Sequence, residues 1–462
     1  MTIKEELSEN CKNLPEILDF SVDMPEPNSP VMIYEGEFEI KYESFEIKVE
    51  GIIQYDWFPN SGVRFSGEVA VGEIDLFKIS MSQSVIILVN GLEFSQGFIT
   101  TTNFGNSEIS SHIEGKSFKK VVFGDKTIAV NKLRFSIPNL RDFRGMAVKK
   151  KTEGNTQILR SRLTLENNNY IITLDKCPDF TKRQDSLEKK GGFNILYAGE
   201  LINKKGSIDY EDTRDILNCL NAFLSFLNGR RTSALFIQGV YESDVIWCDF
   251  SNHLVDSYKA VNSWPQFSNV DSLNKIWFKF SEFWKDSDSR DFLTSLIHWY
   301  VEANCQAGFT EGSIIMAQTA LELIYNWWII EDKKLIIGKD SENINASNKI
   351  RLLLSQLNIS HSVPISFNHL QEYIINNINV IDAPDAVVQI RNAIVHSQEE
   401  KRRKLSEINL LAKYEALQLS IWYIEMSLLC ILGFDDKYQN RCSGVSEVEE
   451  YVPWTKRNKE II

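Results

Sequence analysis

The apolar residues of this chain change their spacing partway along, from every second residue to the three-and-four spacing of a helix. That switch limits the fold more than any other feature. From about Met32 to Ile172 the pattern is short runs of period two, such as Phe38-Glu39-Ile40-Lys41-Tyr42 and Phe45-Glu46-Ile47-Lys48-Val49-Glu50-Gly51-Ile52. Alternation of this kind sets one face of each strand against a core and the other in water. Turn residues at Pro59-Asn60-Ser61-Gly62 and Val89-Asn90-Gly91 separate the runs, which predicts an antiparallel β-sandwich or open barrel. Near Asp209 the period changes: Ile216, Leu217, Leu220, Phe223, Leu224 and Leu227 share one helical face that stops at Gly229, and a strand-like run from Leu235 to Trp247 follows.

Beyond Ser251 lies a loose stretch with Trp264-Pro265, then an amphipathic helix near 271–285 carrying Ile276, Trp277, Phe280 and Trp284. From Arg290 onward the periodicity is helical only, in segments near 291–306, 311–331, 345–358, 365–379, 384–396 and 405–433. The expected fold is therefore α+β and multidomain. Residues 1–250 form a β-rich N-terminal domain with a helix near 209–228, residues 251–289 a helical linker, residues 290–434 an all-helical bundle and residues 435–462 a tail. The tail, with Tyr451, Pro453 and Trp454, is either a loose end or a strap over a neighbour.

With 462 residues and 43% hydrophobic side chains, the chain can build real cores. Its 50 Lys and Arg against 63 Asp and Glu leave a net charge of -13, which repels polyphosphate at long range, so any contact with RNA has to be local. Seven scattered cysteines without a CxxC pair read as reduced structural thiols. The opening segment lacks the apolar core of a secretory signal, and the longest apolar candidate, Leu417 to Phe434, is broken by Glu425. These features lead us to expect a cytoplasmic protein with no membrane partner.

One histidine of the six sits in a setting with catalytic logic: Gln389-Ile390-Arg391-Asn392-Ala393-Ile394-Val395-His396, just before a helix end. Asp382-Ala383-Pro384-Asp385 supplies the helix start, and Val387, Val388, Ile390, Ile394 and Val395 supply buried positions. Five residues turn a regular helix by about 140°, so Arg391 and His396 do not share a face. Bringing them together takes a distorted last turn or a second chain. A plainer reading pairs Arg391 with Glu322 or Asp385 and leaves His396 as a helix-terminal residue. Other motifs fail: Gly115-Lys116-Ser117 lacks the glycine of a phosphate loop at Ser110 and lies among strands, and His298, His361 and His369 have no metal spacing. The pairs Trp327-Trp328 and Trp422-Tyr423 read as core or dimer interface.

The run Arg391-Asn392-Ala393-Ile394-Val395-His396 resembles the signature of the HEPN superfamily of prokaryotic toxin ribonucleases: an arginine, a polar residue, a short spacer, then histidine, late in a small helical bundle. A β-rich front half joined to such a bundle is similar to the ApeA family of anti-phage abortive-infection proteins. Met316-Ala317-Gln318-Thr319-Ala320-Leu321-Glu322-Leu323 resembles the earlier helix that brings an acid, here Glu322, to that site, although Asn326 and Trp327 stand where some members carry Lys and Arg. The resemblance implies metal-independent cleavage of cellular RNA, tRNA among the candidates, with no cofactor. Arg391 would hold phosphorane oxygens, His396 would move a proton, and Asn392 would orient one of them. It also implies a homodimer whose two Arg/His sets face one cleft, restrained by an N-terminal domain that senses a phage-derived trigger. Lys401-Arg402-Arg403-Lys404, the densest basic run, is placed to flank that cleft as RNA-binding residues, or is simply a solvated face. The alternative is a non-catalytic ligand-sensing and dimerisation module with an inactive bundle.

Overall fold

The computed structural model describes residues 13–70, 75–105, 110–152, 155–266, 270–306, 308–341, 343–396, 399–444 and 449–455. The period-two runs become β1 (Val31–Tyr42), β2 (Phe45–Asp56), β3 (Gly62–Val69), β4 (Val85–Val89), β5 (Leu92–Asn103) and β6 (Ser111–Ser117), with a short helix α1 (Leu76–Ser80). They pair in the order β1-β2-β3-β6-β5-β4 and close by pairing β1 with β4, so the element is a closed barrel rather than a sandwich or an open one. Closure leaves no unpaired edge. Phe38, Ile40, Ile47, Val49, Ile53, Phe65 and Val69 point inward and fill it. Asn90 and Gly91, at φ 52 and 75, make the tight β4–β5 hairpin. Gly115 pairs with Phe65 across β3 and β6, and the Phe65 ring occupies the space a side chain there would need. That glycine serves barrel packing and not a phosphate loop.

A second sheet follows, built from β7 (Val122–Gly124), β8 (Lys132–Pro138), β9 (Met146–Thr152), β10 (Asn155–Glu166), β11 (Tyr170–Lys176), β12 (Ile195–Asn203), β13 (Leu235–Tyr241) and β14 (Asp244–Asp249). Its order is β7-β14-β13-β8-β12-β11-β10-β9. Helix α2 (Phe180–Lys190) precedes β12, and α3 (Tyr210–Asn228) carries the helical face read from the sequence. The expected run from Leu235 to Trp247 is two strands, turned at Glu242 with φ 54.

The chain forms two compact units, the first ending at Lys259 and the second holding Ala260–Ile462 together with 142–144 and 222–231. The second unit contains α4 (Val270–Trp284), α5 (Ser287–Asn304), α6 (Phe309–Ile324), α7 (Ala346–Gln356), α8 (Asn368–Asn376), α9 (Ala383–Val395), α10 (Glu399–Glu407) and α11 (Leu410–Ile431). Helix α4, read as part of a linker, belongs to this unit: its Trp277 and Phe280 pack on Phe223. The expected helix over 311–331 ends at Ile324 and continues as a π-helix, Tyr325–Asp332. The one over 405–433 is two helices, because the Asn409 side chain accepts from the Leu411 amide at 2.8 Å and starts α11 anew. Helix α11 runs through the centre of the bundle and packs on α5, α6, α8 and α9. No described helix is long and apolar enough to cross a membrane. The tail is no loose end as far as Thr455: β15 (Lys437–Gln439) pairs with β16 (Glu449–Tyr451), and Trp454 donates to the Phe434 carbonyl at 2.7 Å.

Candidate functional site

Helix α9 begins where the sequence says it should. The Asp382 carboxylate accepts from the Asp385 amide at 3.0 Å, and Pro384 occupies the first turn. Arg351 of α7 grips the same carboxylate with two hydrogen bonds of 2.7 and 2.8 Å. Ala386, Val387, Ile390 and Ala393 are buried, and the Gln318 amide of α6 donates to the Val387 carbonyl at 2.8 Å. The helix is therefore held by α7 at its start and by α6 one turn ahead of Arg391.

Arg391 is half-buried and lines a small cavity of about 70 Å³ with Gln318, Glu322, Lys349 and Ile350. Its Nη1 donates to the neighbouring Asn392 Oδ1 at 3.2 Å, while its Nε is shut off from water without a hydrogen-bond partner. Neither proposed ion pair forms. Asp385 accepts from the Ser347 hydroxyl at 3.0 Å and from the Ile381 amide at 3.2 Å. Glu322 is exposed and meets Lys349 at 2.6 Å, which corrects the reading that pairs it with Arg391. The Lys349 ammonium also lies 5.3 Å from the centre of the Tyr325 ring. Sequence reasoning missed Lys349 because α7 meets α6 only through the tertiary fold.

The helix stays regular through Val395. The His396 amide still bonds the Asn392 carbonyl at 3.1 Å, and ψ of 106° then carries the chain out of the helix. The imidazole is exposed and makes no hydrogen bond among the described residues. Arg391 and His396 thus do not bond to each other within one chain, and no distorted turn joins them. Of the basic run, Lys401, Arg402 and Lys404 have side chains outside the described residues; all four positions fall on α10, and Arg403 is exposed, 3.9 Å from Glu407. Trp327 stacks on Phe292 with ring centres 4.1 Å apart, and the Trp422 indole donates to the Tyr438 hydroxyl at 3.1 Å. Both belong to packed surfaces of the bundle. Among the described residues no group of three or more His, Cys, Asp or Glu is placed to hold a metal ion.

Comparison with known proteins finds similarity in two regions of the chain. Residues 286–452, nearly the whole bundle and its tail, match the family described as the YopA C-terminal domain, and residues 125–261, with the second sheet, match the YopA central domain. The chain is thus similar in two successive regions to YopA-type proteins; neither matched description is HEPN or ApeA. A particular relative is the SPbeta prophage-derived protein YopA of Bacillus subtilis (strain 168), 26% identical over 440 residues that cover 93% of this chain and 96% of the relative. No solved structure matches the chain.

Proposed function

We propose that the helical unit is a metal-independent endoribonuclease that acts as a two-fold dimer, with Arg391 and His396 at the reacting phosphodiester. The observation that carries this reading is a half-buried guanidinium five residues ahead of an exposed imidazole, the first with no carboxylate partner and the second with no hydrogen bond among the described residues. A guanidinium whose Nε is shut off from water and unpaired is costly to fold around and is suited to an anion arriving from outside. In the reaction, the ribose 2'-oxygen attacks phosphorus, the bond to the 5'-oxygen breaks, and a 2',3'-cyclic phosphate and a 5'-hydroxyl result. Arg391 holds the phosphorane oxygens and His396 takes the 2'-proton or gives one to the leaving oxygen. DNA lacks the nucleophile and is not a substrate.

Since the two side chains do not meet within one chain, the site is completed across the two-fold, with His396 of one protomer and Arg391 of either facing one cleft. Asn392 positions Arg391, and Glu322 acts on the site through Lys349. The RNA is cellular, tRNA among the candidates, and the β-rich unit restrains the nuclease until a phage-derived trigger arrives. A relative of prophage origin fits a role in conflict between phage and host. The contrasting reading, a non-catalytic dimerisation and sensing module, is favoured by the small volume beside Arg391. Induced expression in bacteria separates the two. Wild type is expected to stop growth and fragment small RNAs, and His396→Ala to do neither; equal growth and intact RNA with both would leave the sensing module.

A further inference from the structure

We propose that the β-rich unit carries a binding site for a small phosphate ester of mononucleotide size, in a cleft between the first turns of α3 and the chain just after β14. The cleft has a volume of about 380 Å³, within the range of about 300–1,000 Å³ common for small-molecule sites, and holds one nucleotide rather than a strand. Lys119, Lys120 and Arg214 line it, exposed, and none of the three is ion-paired among the described residues. In a chain of net charge -13, three unpaired cations on one cleft are a local reversal of sign that suits an anion. The acids beside them do not cancel it. Asp249 keeps its charge but is held on both oxygens, accepting from the Ser251 amide at 2.8 Å and the Tyr210 hydroxyl at 3.1 Å, so with Glu211 two carboxylates of the lining stand against three cations.

Deeper in, the His253 Nε2 is buried with no hydrogen-bond partner. Burial holds that imidazole below its usual pKa, with the Asp249 charge opposing and the Arg214 charge assisting, so it is neutral near pH 7. A neutral imidazole suits a hydroxyl or ring nitrogen rather than a second phosphate. Lys120 of the lining and Lys126, outside it, each hold their ammonium 5.8 Å from the centre of the Tyr210 ring, which adds positive charge beside that ring. The arrangement is a cationic rim for phosphate and a neutral, unsatisfied polar group inside for the organic part. It shares no residue with Arg391 and His396, so failure of the nuclease reading leaves it standing.

Calorimetric titration of the full-length protein with AMP, GMP, CMP and UMP, and with adenosine and inorganic phosphate as separate arms, tests the site. At least one monophosphate is expected to bind at one site per chain, at least ten-fold tighter than adenosine or inorganic phosphate. Arg214→Ala and Lys119→Ala, surface changes that leave the thermal midpoint unchanged, should each weaken it ten-fold or more. The proposal is overturned if no monophosphate binds, if adenosine or free phosphate binds as tightly, or if both variants bind like wild type.

Discussion

Glu425 interrupts the most apolar stretch of the chain and is fully buried, which would be prohibitive without partners. Its partners come from α5 and from the tail. Arg441 donates through Nε to Glu425 Oε2 at 2.9 Å and through Nη2 to Oε1, while the Tyr300 hydroxyl donates to Oε1 at 2.8 Å. Burial first, then the Glu425 charge, pushes the Tyr300 hydroxyl well above its ordinary pKa, so it stays a donor. Arg441 also donates to Asn304 and Gln418, each at 3.0 Å, so a residue of the tail satisfies the centre of α11. Arg441→Ala is expected to destabilise the helical unit by about 3–5 kcal/mol, since it leaves a buried carboxylate unpaired; urea unfolding measures it, and a loss below about 1 kcal/mol would contradict this. The sequence shows that Glu425 breaks an apolar run but not what pairs it, because its partner lies in a segment with no periodicity of its own. Glu322 differs: it and its partner Lys349 both lie on legible helices, and only the tertiary fold brings the two together.

At the scale of elements, the signals that were local were legible. The start of α9 could be read from Asp382 and Pro384, and its end from the loss of pattern at His396. Barrel closure could not, because β1 meets β4 across some forty intervening residues and period two says only that a strand has a buried face. Nor could the π-helix after Ile324, whose apolar pattern matches a continued α-helix. The α9 start also gives a pH dependence. Burial draws the Asp382 carboxyl upward, but the hydrogen bond from Arg351, the Asp385 amide and the Arg351 charge outweigh it and hold its pKa below the usual value. A carboxylate depressed in the folded state contributes stability above its unfolded pKa of about 3.9, lost as pH falls through the lower folded value. Asp382→Asn keeps a capping side chain and removes the charge. It should therefore be less stable than wild type at pH 7, with the gap closing below about pH 4 in chemical unfolding; a gap that stays constant with pH would contradict this.

For the molecule as a whole, a net charge of -13 rules out a general coat of cations for RNA, so a nuclease on this chain must grip its substrate at one small place. The sequence points to the proposed place, since Arg391, Asn392 and His396 fall at the end of one clamped helix, with the two outer side chains uncommitted to any carboxylate among the described residues. It did not give the meeting of the two groups, which a single chain does not make. The direct measurement is cleavage of a short RNA by purified full-length protein in EDTA, with the new ends analysed chemically. Wild type is predicted to leave 2',3'-cyclic phosphate and 5'-hydroxyl ends, to spare the same strand carrying 2'-deoxyribose at the cleaved position, and to lose at least 100-fold in rate as Arg391→Ala or His396→Ala. Undiminished cleavage by His396→Ala, or none by wild type, would contradict the assignment.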